Sequence, residues 1–589
     1  MFGANEEIGD TLEPEKGIES GPKSKKKLYI IIGVVAVVVI AAVIVIVVLS
    51  TKGDNNNPKD NPSGEPTDSD SDPTDDPDVE PDAFGVNLTT IPLPEDIIID
   101  DGHYLFDGNI FICYNRNITD KTDYKYFGII SDDGLNFKEL YGDKFIVSDK
   151  ANGIRLIPFR DNKRVYLGDF VFECNDTTKN LSECEKGVLI QVNYPSRVVN
   201  DKYTYKTWSE MVVAPDNIHV AWTSLNKACG AVNFIGKFER QANSYEIIEP
   251  KIISTINFIE KDPNNETILI PKTPRGGEIK QFIEGGNALT LVGTLQNSFV
   301  KSVYQSLINE DHYAYTHETG YEETSILSPD EMLGVAMSTR FSPNTSMSIL
   351  GLMPRPYCSL TLSHITANVY SYSVSGVRAK RKGNIGPVLF DKEKSMKYRK
   401  YHGIDLHDKE EQYVYCSPIS WHPSNLKVLW PEINKKSNKR LRRLEISNYT
   451  PSEYPKIENT TDNISYALDM SEMDKISYEM EISGIIKGKN SGLIEYYNSG
   501  VLKQPQIVRI KYINYSDDGR NFYNGEDCFK GDRTNTSSYT SNVILSGSEK
   551  GQTNFTITFN STTSDLLTDE TEGYATYRGK TIRAEIYLE

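Results

Sequence analysis

One unit recurs through the middle of this chain: a short apolar strand, a turn of the Pro-Asp type and a second apolar strand. The clearest copy is Met211–Trp222, with the sequence MVVAPDNIHVAW. Four further copies are Ser325–Ala336, Pro418–Trp430 and the weaker Leu156–Tyr166 and Phe282–Val292. Successive anchors lie 57, 70, 44 and 94 residues apart; the anchors are Pro158, Pro215, Gly285, Pro329 and Pro423. Propeller blades repeat at roughly 40–50 residues, so the last gap has room for one degenerate copy. The repeat therefore predicts a β-propeller of six to eight blades.

The rest of the folded region also has the residue pattern of β structure. Short runs of Val, Ile, Tyr and Phe alternate with Gly, Asn, Asp and Pro, which is typical of an all-β chain. An array of β-sandwiches would not explain the repeated units, so we expect the propeller to occupy residues 85–460. The repeat disappears in residues 461–589, while apolar runs such as Ile507–Ile513 continue. We expect a smaller β-sandwich-like domain there.

The N-terminal region contains a candidate membrane span. Residues 28–49 are 22 consecutive uncharged residues, long enough to cross a bilayer as a helix. Four of the five residues directly before the span are lysines and only Lys52 follows it closely, which places residues 1–27 in the cytoplasm. A cleaved signal peptide is the alternative, but its apolar core is usually only about 7–15 residues long. We therefore expect an uncleaved signal-anchor helix, with the rest of the chain outside the cell at the plasma membrane.

The acidic charge of the chain is concentrated behind this span. Residues 51–84 hold eleven Asp and Glu against two Lys, which is half of the formal net charge of −18. A segment this polar has little to bury, so we expect residues 50–84 to form a disordered stalk. Because nucleic-acid binding needs basic surface, the acidic balance argues against a nucleic-acid partner.

The region beyond the span has the marks of an extracellular domain. All seven cysteines lie there, and Cys174 and Cys184 are close enough in sequence to staple a loop. An odd total leaves at least one thiol free or intermolecular. Thirteen Asn-X-Ser/Thr glycosylation sites also lie there, at Asn87, Asn117, Asn175, Asn180, Asn265, Asn344, Asn448, Asn459, Asn463, Asn514, Asn535, Asn554 and Asn560.

Candidate chemistry is expected where the innermost strand of each blade opens onto the central channel. Zinc, P-loop and serine-hydrolase motifs are missing, so the sequence predicts no metal and no cofactor. Glycoside hydrolases normally use a pair of carboxyl groups, one as the acid and the other as the base or nucleophile. Glu210 and Glu323 are the preferred catalytic candidates, with Glu322 and Glu284 weaker. Residues suited to substrate binding are Trp208, Tyr321, Arg340 and Arg355. A solvated or turn-stabilising role is the alternative for each carboxylate.

Several longer motifs resemble fungal saponin hydrolase-like proteins. They include Gly320–Thr324 (GYEET), Thr339–Pro343 (TRFSP), Gly351–Tyr357 (GLMPRPY), Lys382–Val388 (KGNIGPV), Ser420–Pro423 (SWHP), Asn514–Gly519 (NYSDDG) and Gly573–Tyr577 (GYATY). The resemblance implies a TolB/WD40-like propeller that releases a glucuronosyl sugar from triterpenoid saponins. It assigns no catalytic residue, and the membrane anchor and stalk depart from the secreted family pattern. The function expected is a surface-anchored glycoside hydrolase; the alternative is a non-catalytic propeller that binds a glycan or protein ligand.

Overall fold

The computed structural model describes the chain from residue 79 to residue 584. The segments left out within that range are 117–123, 147–154, 200–210, 227–229, 256–258, 273–274, 296–299, 317–321, 340–348, 358–385, 399–400, 407–412, 416–417, 435–438, 474–480, 501–504 and 533–534. No helix within the described residues has the length and apolar composition to cross a membrane. The predicted tail, the predicted span 28–49 and most of the predicted stalk lie outside these residues.

The predicted all-β propeller is confirmed, and the described residues form six blades. The strands within each blade pair antiparallel, and a parallel pair joins the outer edges of blades 2 and 3 into one larger sheet. The first strand begins at Gly85. The strands of blades 1 to 3 follow β1 (Gly85–Thr90) and are β2 (Ile97–Tyr104), β3 (Ile110–Arg116), β4 (Tyr124–Ile130), β5 (Phe137–Ile146), β6 (Leu156–Pro158), β7 (Arg164–Leu167), β8 (Phe170–Cys174), β9 (Gly187–Asn193), β10 (Val212–Val213), β11 (His219–Asn226), β12 (Gly230–Arg240) and β13 (Ser244–Thr255). A hairpin, β14 (Ile259–Asp262) and β15 (Asn265–Pro271), separates blade 3 from blade 4.

Blades 4 to 6 continue the same pattern. Their strands are β16 (Glu278–Ile283), β17 (Ala288–Gly293), β18 (Lys301–Ser306), β19 (His312–Ala314), β20 (Glu322–Leu327), β21 (Leu333–Ser338), β22 (Gly386–Asp391), β23 (Ile404–Asp405), β24 (Tyr413–Tyr415), β25 (Ser420–Trp421), β26 (Lys427–Asn434) and β27 (Lys439–Ser447). Helices are short: α1 (Ser196–Val199), α2 (Ile349–Leu352) and α3 (Lys392–Lys397), with 3₁₀ turns at Leu181–Glu183, Glu284–Gly286, Met470–Glu472 and Thr568–Glu570.

The repeated Pro-Asp unit is the turn between the first two strands of a blade. In blade 3 the Asn217 N–H donates to the Ala214 carbonyl at 2.9 Å, and Asn217 adopts a left-handed φ of 60°. Asn tolerates that conformation better than most residues, while Pro215, two residues earlier, presets the φ of the turn. Equivalent left-handed residues are Gly108 in blade 1, Asn162, Glu331 and Asn425.

The degenerate copy expected between Pro329 and Pro423 is not there in the described residues. That stretch supplies the outer strands of blade 5, and the sixth turn lies upstream of the first anchor. It is the turn at Gly108, whose N–H donates to the Leu105 carbonyl at 3.1 Å. This copy has no proline, so the proline-anchored pattern in the sequence does not predict it.

Apolar packing closes the six blades into a ring. Each pair of neighbouring blades shares a separate hydrophobic cluster, including blades 6 and 1. The N-terminal strand β1 pairs antiparallel with β27 and so forms the outer strand of blade 6. The last blade therefore combines both ends of the propeller sequence. Trp222, Trp421 and Trp430 are buried in these clusters, as expected for core residues.

The C-terminal region is a single ten-stranded sheet in the described residues, and one of its faces is buried. It runs through β29 (Ile482–Lys487), β30 (Ser491–Asn498), β31 (Gln506–Ser516), β32 (Asn521–Gly531), β33 (Thr536–Gly547), β34 (Gly551–Asn560), β35 (Glu572–Tyr577) and β36 (Lys580–Arg583). The hairpin β14–β15 joins its edge, where β15 runs parallel to β29. Residues of α2 pack into the same apolar cluster as the buried face. A segment from blade 5 thus covers the buried face of the sheet, as the second sheet does in a β-sandwich.

Residues 448–473, called the strap below, connect blade 6 to the C-terminal sheet. The strap follows the end of the propeller where the tight turns lie. The Tyr449 hydroxyl donates to Asp330 of blade 5, and the Glu458 N–H donates to the Gly285 carbonyl of blade 4. Further along, β28 (Leu468–Asp469) pairs with β13 of blade 3. The strap therefore links the turns of three successive blades.

A histidine fastens the strap to blade 3. His219 Nδ1 lies 2.6 Å from Asp216 Oδ2, and Nε2 lies 2.9 Å from Asp462 Oδ1 of the strap. Lys237 also contacts Asp462, at 2.8 Å, and Glu249, at 2.8 Å. Burial lowers the pKa of His219, but hydrogen bonds to the two aspartates outweigh burial and raise it. Both ring nitrogens thus face a carboxylate, and the imidazolium form donates to both and links the strap to blade 3.

Candidate functional site

The central channel contains a cavity of about 160 Å³ that the first strands of all six blades line. Two ends can be distinguished. At the upper end the first strand of each blade begins, and at the lower end lie the tight turns and the strap. Apolar and aromatic side chains form most of the wall. Its polar members are His103, Arg160, Lys280 and Gln281.

Charged side chains from blades 4 and 5 gather at the upper end, in what we call the Glu/Lys cluster. It consists of Glu278 and Lys280 on β16, Lys301 on β18, and Glu322 and Glu323 on β20, none more than 8% exposed. Lys280 Nζ lies 2.8 Å from Glu278 Oε1 and 3.9 Å from Glu323 Oε1. Lys301 Nζ lies 3.9 Å from Glu322 Oε2. Three carboxylates thus lie close to two ammonium groups.

Buried polar atoms next to this cluster have unused bonding capacity. Glu278 Oε2, Thr294 Oγ1 and Thr316 Oγ1 are buried and have no hydrogen-bond partner in the described structure. The two threonines follow β17 and β19, at the upper end of blade 4. Buried polar groups are nearly always hydrogen-bonded, so these atoms have capacity for a further partner.

The two inner strands that carry the cluster are fixed against each other. Gln281 Nε2 donates to the Leu327 carbonyl at 3.0 Å, and the Leu327 N–H donates to Gln281 Oε1 at 2.8 Å. A β-bulge between Ile279 and Gln281 shifts the register of β16 at this point. The amide bridge therefore sets the spacing between the carboxylates of β16 and those of β20.

Titratable groups of blade 1 are shifted by burial. His103 Nδ1 lies 2.8 Å from Ser420 Oγ and 3.0 Å from the Tyr104 carbonyl, and burial lowers the pKa of His103 to about 4. Its imidazole is therefore neutral at neutral pH. Asp101, two residues earlier, accepts from the Leu156 N–H of blade 2 at 3.0 Å, and burial raises its pKa to about 8.

The structure places the predicted carboxylates at different ends of the channel. Glu322 and Glu323 open β20 at the upper end, where the sequence predicted them. Glu284 does not join them, so its assignment to the same site is corrected. It lies in the β16–β17 turn at the lower end, where its carboxylate accepts from the Tyr304 hydroxyl at 2.8 Å. The reason is strand direction. Glu284 follows its inner strand, whereas Glu322 and Glu323 begin theirs, so the two positions are separated by the length of a strand.

Arg355 is also corrected as a substrate-binding candidate. It is 3% exposed and its Nε lies 2.7 Å from Asp527 Oδ2, under the buried face of the C-terminal sheet. It has no access to the channel. The remaining predicted residues lie outside the described part of the chain and stay predictions: Glu210, Trp208, Tyr321 and Arg340.

Sequence reasoning left Glu278 out, although a signal for it existed. Glu278 precedes its turn anchor Gly285 by seven residues, the same offset at which Glu322 precedes Pro329. Aligning the repeats by their anchors would have placed both glutamates at the same level of adjacent inner strands. The contact of Lys280 with Glu278 and Glu323 could be seen only in the fold.

No protein-family model matches the chain, and no curated protein sequence matches it. Solved structures with related folds include a putative TolB from Agrobacterium tumefaciens, at 10% identity over 49% of this chain and 76% of that one, with a TM-score of 0.28. A puromycin-hydrolyzing peptidase from Mycobacterium tuberculosis matches at 8% identity over 71% and 59%, with a TM-score of 0.31. The β-propeller domain of the Trilobed protease from Pyrococcus furiosus matches at 9% identity over 71% and 95%, with a TM-score of 0.26. Similarity this distant carries no argument about function, and the six-bladed assignment rests on the strand pairing described above.

Proposed function

We propose that this protein is a glycoside hydrolase whose carboxylates belong to the Glu/Lys cluster. The observation that carries the proposal is the approach of two glutamates from neighbouring blades to the same ammonium group. Because Glu278 Oε1 and Glu323 Oε1 lie 2.8 and 3.9 Å from Lys280 Nζ, they are within about 7 Å of each other. The two carboxyl groups of glycoside hydrolases are separated by roughly 5–10 Å.

The proposal divides the chemistry between these two glutamates. Glu323, farther from the ammonium, protonates the oxygen of the leaving group. Glu278, in the closer ion pair, acts as the base or nucleophile at the sugar carbon. Lys280 orients both side chains. Five buried charges are expensive to keep in a protein interior, and apolar residues would pack as well there. A functional role gives a reason for retaining them.

The predicted residues Trp208, Tyr321 and Arg340 are the proposed substrate contacts. They lie outside the described residues, close in sequence to β10, β20 and β21 respectively. The resemblance to saponin hydrolases in the motifs around Gly320 and Thr339 agrees with a glycoside substrate. A glucuronosyl sugar is the first substrate to examine.

We also propose that the propeller and C-terminal sheet lie outside the cell, held by the predicted span. Cys174 and Cys184 form a disulfide, with Cα atoms 5.6 Å apart, and disulfides persist in oxidising compartments. Eleven of the thirteen glycosylation sites fall on described residues. Nine of these asparagines are exposed, and the other two, Asn180 and Asn560, are half-buried. Every described site is thus on accessible surface.

The test is hydrolysis of aryl glycosides, beginning with an aryl β-glucuronide, by the purified full chain. Glu278→Gln and Glu323→Gln keep the side-chain shape but remove the acid, and each is expected to lower turnover about a hundredfold or more. Glu284→Gln, at the opposite end of the channel, serves as the matched comparison and should retain turnover. Absence of hydrolysis by the wild-type chain, or full turnover in both cluster variants, would contradict the proposal.

A second function, glycan binding without hydrolysis, is favoured by the position of Lys280. An ammonium group that two carboxylates share neutralises charge on both and leaves no dedicated proton donor. Binding of wild-type chain to a glycan array, lost in Lys280→Met and unaccompanied by turnover, would select this function. Turnover that falls in Glu278→Gln would select the hydrolase instead.

A further inference from the structure

Arg160 lies in the wall of the channel cavity, at the lower end and away from the Glu/Lys cluster. It follows β6 in the first turn of blade 2. Its guanidinium carbon lies 5.3 Å from the centroid of the Phe106 ring of blade 1. The aromatic contact holds one face of the planar group and leaves its N–H edge available for other partners.

The positive charge of Arg160 is not neutralised by an ion pair. Arg164, in the same blade, shows the usual arrangement: its Nε lies 2.8 Å from Asp161 and its Nη2 donates to the Asn217 carbonyl at 3.2 Å. The described structure gives Arg160 no hydrogen bond and no ion pair. Glu331 acts on it only through its field, since that carboxylate accepts the Glu284 N–H at 2.6 Å. Burial lowers the pKa of Arg160, as expected for a desolvated cation.

The other polar groups of the cavity do not compensate this charge. Lys280 is already balanced by Glu278 and Glu323. His103 is neutral at neutral pH because burial lowers its pKa to about 4. Tyr454 of the strap, which also acts on Arg160, has its pKa raised by burial and stays a neutral phenol. The lower half of the cavity therefore holds a cation whose five N–H donors have no hydrogen-bond partner in the described structure and whose charge is offset only by the field of Glu331.

The size of the cavity limits what can bind there. A cavity of about 150 Å³ admits a molecule of the size of benzene. At about 160 Å³ the channel therefore accommodates one small anion and little more. Oxyanions such as carboxylate and phosphate match the guanidinium fork with two parallel hydrogen bonds.

We propose that Arg160 binds a small oxyanion inside the central channel. The shared chemistry is that of phosphate, sulfate or a small carboxylate, and the bound anion accepts from the Arg160 N–H donors that have no partner in the described structure. The site is separate from the proposed hydrolytic carboxylates, and its existence does not depend on the proposed function. Binding there would also draw blades 1 and 2 together through the Arg160–Phe106 contact.

Thermal unfolding and calorimetric titration of the full chain test the proposal, with phosphate, sulfate, acetate and chloride compared at constant ionic strength. We expect at least one oxyanion, and not chloride, to raise the unfolding temperature and to give a saturable titration. Arg160→Met should weaken that binding about ten- to hundredfold, which corresponds to losing charge-assisted hydrogen bonds. Arg160→Lys should be intermediate, because lysine keeps the charge but not the fork.

The matched control is Lys456→Met, which removes one positive charge from the exposed strap at the same end of the propeller and should leave binding unchanged. The anion that binds identifies the source: phosphate and sulfate indicate a tetrahedral oxyanion, acetate alone a carboxylate. If no oxyanion binds, or if Arg160→Met and Arg160→Lys bind as the wild type does, the proposal is wrong. If Arg160→Met fails to fold, the lysine variant and the comparison of anions on the wild type still test whether Arg160 binds an oxyanion.

Discussion

The buried ion pair of the C-terminal sheet allows a quantitative prediction about how that sheet is held to the propeller. Arg355 Nε lies 2.7 Å from Asp527 Oδ2, and Nη2 donates to Ser541 Oγ at 2.9 Å. Asp527 also accepts from the Tyr539 hydroxyl at 2.9 Å. Burial would lower the pKa of Arg355, but the Asp527 carboxylate raises it well above its usual value. Every strong hydrogen bond of the pair is internal, so water cannot replace a lost partner.

Removing one partner should therefore be costly. Asp527→Asn leaves a desolvated guanidinium without its counter-charge, and breaking a buried pair in this way costs about 3–5 kcal/mol. Every 1.4 kcal/mol is a factor of ten in an equilibrium constant, so strand opening should become at least about a hundredfold more frequent. Hydrogen exchange at the amides of β31 to β33 measures that opening directly.

An exposed ion pair on the same sheet provides the control. Lys511 of β31 lies 2.8 Å from Glu495, with both side chains about half exposed. Lys511→Met should cost less than about 1 kcal/mol, because solvent screens such pairs. If Asp527→Asn and Arg355→Met speed exchange no more than Lys511→Met does, burial does not determine the strength of this pair, and the reasoning is wrong.

Three further outcomes are expected. Asn217→Ala should cost about 1 kcal/mol of unfolding free energy because alanine does not tolerate the left-handed φ of 60°, whereas Asn217→Gly should be close to neutral; thermal unfolding distinguishes them. Replacing Cys174 and Cys184 with serine should cost about 2–3 kcal/mol by freeing a ten-residue loop in the unfolded chain, measured by denaturant unfolding. The raised pKa of His219 stabilises the strap fully below its unfolded pKa of about 6.5, and this contribution is lost as the pH rises through the folded pKa. The rate of tryptic cleavage after Lys456 in the wild type, divided by the rate in His219→Gln at the same pH, should therefore increase above about pH 6.5.

Much of the propeller could be predicted because each blade repeats the same local physics. A proline and a left-handed Asn produce the same turn wherever they occur, so Pro215 and Asn217 identify a blade without tertiary information. The copy at Gly108 was missed because glycine replaces the asparagine and no proline precedes it. The long gap before Pro423 suggested a further blade, and the described residues contain none there. The gap is long because blade 5 carries an insertion.

The candidate site was less predictable, because charge pairing depends on contacts between distant elements. Glu323 could be placed from its position at the start of an inner strand. Arg355 could not, because its partner Asp527 lies 172 residues away in sequence. Arg160 and Arg164 lie four residues apart in similar surroundings, and only the fold shows that one is paired and the other is not.

The buried polar groups of the propeller differ in whether the protein satisfies all of their hydrogen bonds. Between blades 3 and 4, Asn233 Nδ2 donates to Thr223 Oγ1 at 2.9 Å and to the Gly277 carbonyl at 2.6 Å, while its Oδ1 accepts from the Gly277 N–H and from Ser254. That amide is fully satisfied by the protein, and its role is to fix the blades against each other. The Glu/Lys cluster between blades 4 and 5 is different, because Glu278 Oε2 has no hydrogen-bond partner in the described structure. A network that only fixes blades against each other leaves no buried acceptor unpaired, so we infer that this cluster, unlike Asn233, meets a ligand.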